Sequence, residues 1–299
     1  MGKFCEKYAR RIQYNAQKYY DRMDSLCPVP EDQERVLDIP YVSQDGTALA
    51  ADLYRPKERQ RDSGLPVIIM VHGGGLFTGS RRMEMKISMD LAGRGFLVCV
   101  PEYRCFPDAG ICQQMGDVCA GMSFLKTIIP QYGGDLNRVY LVGESAGCLL
   151  SVYAMAMDGS QALQQVTGCQ PGNLKIQAAA FCSGMFYTQK LNPIGLIYPR
   201  NLFREKRFDP DFRKMMNPEN PEIITKLPPS LLVSSDGDFL KSYTKKFLAA
   251  LERNDIKCQL AYYEGNKKLV HTFPTVSPEL AESQDVFQKI TSWFSGNHE

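Results

Sequence analysis

Apolar runs of strand length recur along this chain, and segments with helical spacing stand between most of them. Eight such runs cover residues 35–43, 48–55, 66–72, 96–104, 139–145, 176–184, 230–237 and 258–265. Helical spacing is found over residues 82–94, 110–126, 146–157, 241–253 and 278–294. Most of the later runs are continuously apolar, as strands buried on both faces must be. The alternation predicts an α/β protein with an eight-stranded, mostly parallel sheet flanked by helices.

The first two predicted strands are joined by residues 44–47 alone, so we expect a hairpin and one antiparallel element in the sheet. Two regions, residues 1–34 and 184–229, stand outside the alternation. A chain of 299 residues suits one large domain, and we expect a single domain over 1–299 with these two regions as a small helical cap. The first region has a helical face that is expected to dock on the domain, formed by Phe4, Tyr8, Ile12, Tyr19 and Met23.

Charge and hydropathy exclude several classes of partner. The net charge of +2 predicts binding to neither nucleic acid nor acidic lipid. No run of about eighteen apolar residues is present, and the N-terminus lacks the apolar core of a signal peptide, so neither a membrane span nor standard secretion is expected. The ten cysteines are dispersed without a Cys-x-x-Cys motif or a neighbouring histidine. We therefore expect reduced thiols, a cytoplasmic location, and no metal or other cofactor.

The motif Gly143-Glu144-Ser145-Ala146-Gly147 follows a predicted strand and opens a predicted helix. In this context a G-x-S-x-G sequence places a serine hydroxyl at the tip of a sharp turn, and the glycines remove side chains that would collide there. A serine that merely caps a helix needs no glycine on either side. We therefore predict that Ser145 is a nucleophile.

A second glycine-rich segment follows the 66–72 strand as Gly73-Gly74-Gly75. Its backbone N–H groups are open to approach, and together with the Ala146 N–H they can bind the oxyanion of a tetrahedral intermediate. Gly74 and Gly75 are the preferred donors, with Gly73 adjacent.

A nucleophilic serine needs a neutral base, and histidine suits that task at neutral pH. The chain has three histidines. His72 belongs to the glycine loop and is expected to pack beneath it, while His298 is the penultimate residue. His271, in a loop before the last helix, is the predicted general base.

The histidine needs a carboxylate that follows a core strand and precedes residue 271. Asp236 and Asp238 both meet this condition. Asp238 lies two residues further into the turn, where its side chain can reach the neighbouring loop, so we prefer it and keep Asp236 as the alternative. The order Ser145, Asp238, His271 is that of α/β-hydrolases.

At these residues the sequence resembles the hormone-sensitive-lipase-like α/β-hydrolases. The likeness covers roughly residues 65 to 275 and rests on the HGGG run at His72, Glu102-Tyr103-Arg104, Asp117-Val118, DLNRVYLVGESAG from Asp135, DFL from Asp238 and His271-Thr-Phe. In that family the aspartate of the D-x-L element is the triad member, which favours Asp238. The chain departs from the family pattern at residues 105–108 and at Thr272, and these departures bear on the substrate more than on the reaction.

The predicted site and the resemblance together favour a serine carboxylesterase that acts through an acyl-enzyme. No long apolar surface segment suited to an oil interface is evident in the sequence, so we expect short-chain acyl esters, with a small-molecule ester as the partner. Two alternatives stay open: an amidase, formamidase or small peptidase with the same triad, and a relative that binds a ligand without chemistry. Aromatic residues of the 184–229 region can line a pocket or pack the cap, and packing is expected for most of Phe186, Tyr187, Tyr198, Phe203, Phe208 and Phe212.

Overall fold

The computed structural model describes residues 2–57 and 64–296 of the chain. These residues form one sheet of eight strands: β1 (Gln33–Val42), β2 (Ala48–Pro56), β3 (Leu65–Val71), β4 (Leu97–Pro101), β5 (Gly134–Glu144), β6 (Ala179–Cys182), β7 (Ser230–Ser235) and β8 (Cys258–Tyr263). The strand order is β1-β2-β4-β3-β5-β6-β7-β8. Strand β2 is antiparallel to both of its neighbours, and the other pairs are parallel. The predicted sheet and its hairpin are confirmed.

Strand β3 shows why the central runs are apolar throughout. Successive side chains of a strand point to opposite faces of the sheet. Val67, Ile69 and Val71 are completely buried in the core on one face. Ile68 and Met70 are completely buried in the core on the other face. A strand covered on both sides has no position for a polar side chain, so its sequence cannot alternate.

The helices of the described residues are α1 (Gly2–Leu26), α2 (Met85–Gly93), α3 (Ile111–Ile128), α4 (Ala146–Met157), α5 (Gln161–Thr167), α6 (Pro193–Leu202), α7 (Pro210–Met215), α8 (Pro221–Ile224), α9 (Lys241–Arg253), α10 (Phe273–Val276) and α11 (Ala281–Phe294). The buried faces of α3, α4 and α9 pack on one side of the sheet. Those of α2 and α11 pack on the other. The result is the three-layer α/β architecture that the alternation predicts.

The described contacts of the N-terminal helix do not include Tyr8 of the predicted docking face. Tyr8 is 61% exposed, whereas Ala9 is buried against the core. Gln13, one turn further along, donates from Nε2 to the backbone carbonyl oxygens of Phe77 at 3.1 Å and Phe106 at 2.6 Å. The side chains of Phe4, Tyr19 and Met23 lie outside the described residues. A small residue and an amide thus make the contact, because α1 approaches backbone carbonyls that need donors.

Residues 184–229 contain α6, α7 and α8, and most of their aromatic side chains pack inward. The Phe186 ring stacks on Phe247 of α9 with centroids 4.0 Å apart, and Phe203 meets Phe212 edge to face at 5.1 Å. Phe208 differs, since it is 71% exposed. The packing role is therefore the right one for most of this aromatic set. No helix within residues 2–57 and 64–296 combines the length and hydropathy required to cross a bilayer.

Candidate active site

Ser145 occupies a strained turn between β5 and α4. Its backbone has φ +49° and ψ −111°, a conformation that residues with a Cβ rarely adopt. The Ser145 N–H donates to the Cys182 carbonyl at 2.9 Å, and its own carbonyl accepts from the Met185 N–H at 2.9 Å. These two bonds from the segment after β6 hold the turn in place, so the hydroxyl has a defined direction.

The glycines of the motif allow close approach of the backbone. A Cβ at Gly147 would lie 2.1 Å from the carbonyl oxygen of Val71 at the end of β3. A Cβ at Gly143 would lie 2.9 Å from Cα of Cys148. No side chain fits at either position, and α4 can therefore start directly against the ends of the central strands.

His271 reaches the serine from the loop after β8. Its Nε2 atom lies 2.8 Å from Oγ of Ser145, although the two residues are 126 positions apart. Thr272 has a left-handed backbone (φ +57°), and its N–H donates to Oγ of Ser183 at 3.1 Å. An isolated bridge between Gly237 and Val270 ties the same loop to the end of β7. The imidazole is therefore held by backbone contacts on both sides of it.

Asp238 is the carboxylate that meets His271. Its Oδ1 atom lies 2.7 Å from Nδ1 of the imidazole, and its side chain is completely buried. The Leu240 N–H donates to Oδ1 and the Ser234 hydroxyl to Oδ2, both at 2.8 Å. Burial by itself raises the pKa of Asp238, but the hydrogen bonds from His271, Leu240 and Ser234 outweigh it and lower the pKa below its usual value.

The Asp238 carboxylate determines where the hydrogen atoms lie in the chain Asp238–His271–Ser145. Since the Asp238 carboxylate can only accept, the hydrogen of a neutral His271 sits on Nδ1. The lone pair of Nε2 is then free to accept the proton of the Ser145 hydroxyl. The arrangement can therefore generate a serine alkoxide for attack on a carbonyl carbon.

Asp236, the alternative carboxylate, points elsewhere. It accepts from the Tyr262 hydroxyl at 2.8 Å and from the Gly265 N–H at 2.7 Å. Its Oδ1 atom is also 3.6 Å from Nζ of Lys241. These neighbours lower the pKa of Asp236, and it serves the turn after β8. His271 is thus brought together with Asp238.

The glycine loop lies beside Ser145. A Cβ at Gly73 would come within 3.3 Å of Cβ of Ser145. Gly74 and Gly75 have positive φ values of 100° and 64°, and a Cβ at Gly74 would lie 2.0 Å from the Thr78 carbonyl oxygen. Ala146, the first residue of α4, adds a backbone N–H that has no partner inside its helix. Of the four predicted donor residues, Gly73 and Ala146 thus lie directly beside Ser145, and Gly74 and Gly75 continue the loop from Gly73.

His72 supports this loop from below and is turned away from Ser145. Its buried ring stacks on Tyr103 with centroids 3.9 Å apart, and its Nε2 lies 2.8 Å from Oε1 of Glu102. The Tyr103 hydroxyl donates to the carbonyl oxygens of His72 and Gly73, both at 3.0 Å. Because the Tyr103 hydroxyl binds both carbonyl oxygens, the conformation of the glycine loop is restricted. His298 lies outside the described residues.

Several residues of the site carry no local signal in the sequence. Tyr198 of α6 places its hydroxyl 2.9 Å from the position that a Gly75 Cβ would take. Phe239 is 71% exposed and its ring centroid is 4.3 Å from that of His271. Val270, the residue before His271, is 47% exposed. Phe239 and Val270 therefore place exposed apolar side chains beside the imidazole. No group of three or more potential metal ligands occurs in the described part of the chain.

The chain is similar in sequence or in fold to several known esterases. The BD-FAE family model matches residues 51–192. Isoprenylcysteine alpha-carbonyl methylesterase ICME of Arabidopsis thaliana is 30% identical over 258 residues, which are 81% of this chain and 58% of that protein. Probable isoprenylcysteine alpha-carbonyl methylesterase ICMEL1 of the same plant is 28% identical over 72% of this chain and 47% of its own length. The chain spans about half the length of these curated relatives.

The structural likeness extends over the entire fold. Esterase B from Lactobacillus rhamnosis, in a crystal structure with a C4-C4 tributyrin phosphonate, superposes with a TM-score of 0.85. The comparison covers 100% of this chain and 96% of that one at 22% identity. An esterase from Pyrobaculum calidifontis gives a TM-score of 0.73 at 18% identity, with 97% and 94% covered. The α/β-hydrolase fold is common to all of them.

Proposed function

Because this chain is an α/β-hydrolase of the hormone-sensitive-lipase-like type, we propose that it is a serine carboxylesterase acting on short-chain acyl esters. The observation that carries this proposal is the continuous hydrogen-bonded chain from Asp238 through His271 to Ser145, with contacts of 2.7 and 2.8 Å. If these residues only packed the core, a buried carboxylate, an imidazole and a strained serine would have no reason to be hydrogen-bonded in series.

In the proposed reaction the Ser145 oxygen attacks the ester carbonyl carbon while Nε2 of His271 takes the hydroxyl proton. The resulting oxyanion is bound by the N–H groups of Gly74, Gly75 and Ala146, with Gly73 adjacent. Collapse of this intermediate breaks the bond to the alcohol, which leaves with the proton from Nε2. Water then attacks the acyl-serine in the same way, and the free acid departs. Asp238 stabilises the imidazolium in both halves.

The surroundings of His271 and the similar proteins support the proposed substrate class. The exposed apolar side chains of Phe239 and Val270 beside His271 favour esters with an apolar group over sugars or charged metabolites. The tributyrin phosphonate of the Lactobacillus esterase is a four-carbon acyl mimic and supports a short acyl chain. We infer a small-molecule ester as the partner. The cysteines among the described residues are free thiols, which suits a cytoplasmic enzyme.

We further propose that α1 and residues 184–229 form the cap of a single domain. Gln13 of α1 binds the backbone next to the glycine loop, and Tyr198 of α6 reaches the loop itself. Helix α6 thus contacts the segment that would hold the oxyanion, α1 contacts the backbone beyond it, and the cap would shape what can approach Ser145.

The test is hydrolysis of p-nitrophenyl butyrate by the purified protein. Wild type is expected to turn over, and Ser145→Ala to lose nearly all activity, since the triad is worth about 10⁶-fold. A fluorophosphonate probe should label wild type and leave Ser145→Ala unlabelled. Unchanged turnover in this variant, or no labelling of wild type, contradicts the proposal. An amide with the same acyl group separates an esterase from an amidase.

A second candidate substrate is the methyl ester of a large apolar acid. It is favoured by the isoprenylcysteine methylesterases, which are similar over 72% to 81% of this chain. The exposed side chains of Phe239 and Val270 beside His271 can contact a hydrocarbon chain. The methyl ester of a farnesylated cysteine and p-nitrophenyl butyrate, compared by kcat/KM, decide between the two. A higher value for the farnesylated ester replaces the short-chain assignment.

A further inference from the structure

Two buried glutamates face each other directly behind the proposed triad. Glu84 ends the 3₁₀ helix Arg81–Glu84 and is completely buried, while Glu144 ends β5 and is 3% exposed. The Oε2 atom of Glu144 accepts a hydrogen bond from the Thr275 hydroxyl at 2.7 Å. Among the described residues, neither carboxyl oxygen of Glu84 has a hydrogen-bond partner at normal distance and angle. The partner that the Glu84 carboxyl group faces is the carboxyl group of Glu144, with the N–H of Gly73 nearby.

Two carboxylates cannot both be ionised in such a place. Like charges at short range in a buried site repel strongly, so the pair holds one proton. Burial, first, and the charge of Glu144, second, raise the pKa of Glu84 well above its ordinary value. The other titratable groups facing the pair are Tyr103, Cys148 on α4 and Cys182 on β6. Burial raises the pKa of all three, so none of them supplies a charge.

The pair lies where three catalytic segments meet. Glu144 is the residue before Ser145. The position that a Cβ of Gly73 would take is 3.6 Å from Oε1 of Glu144, so the glycine loop is in contact with the pair. Thr275, which binds Oε2, lies four residues after His271. The two facing carboxyl groups therefore adjoin the turn of the proposed nucleophile, the glycine loop and the histidine loop.

We propose that Glu84 and Glu144 are a positioning pair, in which the neutral acid of Glu84 donates its proton in a hydrogen bond to the Glu144 carboxylate and keeps the three segments in register. The kinetic consequence rests on the proposed esterase function. Neither glutamate touches the substrate. At alkaline pH the shared proton is lost to hydroxide, two negative charges face each other, and the register of the segments is disturbed.

The pair has a consequence for stability that is independent of catalysis. In the unfolded chain Glu84 ionises near its ordinary pKa of 4.5, whereas in the fold it stays neutral to higher pH. The stabilising neutral form is fully present below pH 4.5. As the pH rises above 4.5, unfolding releases a proton and becomes more favourable, by up to about tenfold in the equilibrium constant per pH unit. The loss stops growing above the folded pKa of Glu84.

Three variants test the pair. Glu84→Gln keeps a hydrogen-bond donor and has no proton to lose. Glu84→Leu removes the donor, and Glu252→Gln, on the exposed face of α9, is the matched control. Urea unfolding from pH 5 to 9 is measured for each. Glu84→Gln is expected to gain stability relative to wild type steadily with pH, while Glu252→Gln follows wild type. A constant difference between Glu84→Gln and wild type overturns the proposal.

The kinetic arm compares kcat against pH with p-nitrophenyl butyrate. The alkaline fall of wild type is expected to move to higher pH or vanish in Glu84→Gln, whose activity at neutral pH stays within about threefold. Glu84→Leu is expected to lose at least about tenfold in kcat at neutral pH. An alkaline limb identical in Glu84→Gln and wild type, or full activity in Glu84→Leu, overturns the positioning role. If wild type hydrolyses no ester, the proposed function fails, and the unfolding data still decide whether the pair shares a proton.

Discussion

Asp236 and Asp238 follow the same strand only two positions apart, yet their surroundings give them different tasks. Asp238 is completely buried and accepts hydrogen bonds from three directions, one of them from His271. Asp236 is partly exposed and binds the turn after β8 through Tyr262 and Gly265. At the scale of single residues, the direction of a side chain from a turn decides which of two identical groups can act on the imidazole.

This difference predicts the effect of two matched substitutions. Asp238→Asn is expected to lower kcat for ester hydrolysis by about 10⁴-fold, because an amide stabilises neither the Nδ1–H tautomer nor the imidazolium. Asp236→Asn should leave kcat unchanged, since its contacts do not reach His271. Steady-state rates with p-nitrophenyl butyrate measure both. Equal losses in the two variants would show that the carboxylate assignment is wrong.

At the scale of elements, the position of α4 depends on contact with β3. The helix begins immediately after Ser145, and Gly147 brings its first turn against the Val71 carbonyl, with no room for a Cβ. The glycine loop leaves the same end of β3. The distance between Ser145 and the proposed oxyanion donors is therefore set by how closely α4 approaches β3.

Gly147→Ala is expected to push α4 away from β3 by several tenths of an ångström or more. Such misplacement lowers kcat by about 10²-fold, and the overpacking reduces the free energy of unfolding by about 1–3 kcal/mol. Gly159→Ala, just beyond the other end of α4, is the control, because its Cβ would meet only the flexible Lys226 side chain at 3.1 Å. Ester hydrolysis and urea unfolding of the two variants provide the comparison. Wild-type kcat in Gly147→Ala would contradict this account.

At the scale of the molecule, a buried charge network joins the antiparallel edge of the sheet to the glycine loop. Nε of Arg81 lies 3.0 Å from Asp52 of β2, and Nη1 lies 3.1 Å from Glu102, which in turn meets His72. Arg81 also pairs with Asp38 of β1. Burial raises the pKa of Asp52, and the charge of Arg81 acts against that rise. The β1–β2 hairpin is thus linked through Arg81 and Glu102 to His72, which supports the glycine loop.

Removing one member of this network is expected to destabilise the whole fold. Arg81→Met leaves Asp52 and Glu102 with less compensation in a buried place, and the free energy of unfolding should fall by about 3–5 kcal/mol. Lys289→Met removes an exposed pair with Asp285 on α11 and should change it by less than about 1 kcal/mol. Urea denaturation at neutral pH compares the two. Similar losses in both variants would show that burial does not govern these pairs.

The sheet could be predicted from the sequence because a strand buried on both faces requires a continuously apolar run of residues. Every predicted strand overlaps an observed one, and residues 43–47 connect β1 and β2 as the predicted hairpin. Docking of the N-terminal helix could not be predicted equally well. Tyr8 faces solvent, while Ala9 and Gln13 make the contact. The spacing of apolar residues in α1 cannot indicate that the surface it contacts includes backbone carbonyl groups.

For the candidate site, the chemical types and the local backbone geometry could be read from the sequence: a serine flanked by glycines after a strand, a glycine loop, and one histidine in a late loop. Packing of the whole chain settled which side chains meet, because Ser145 and His271 come within 2.8 Å across 126 positions. It also decided that Glu84, in an otherwise ordinary polar segment, is buried against Glu144. Local patterns record the burial and bending of one segment, whereas a contact between distant segments depends on how the sheet and helices pack together.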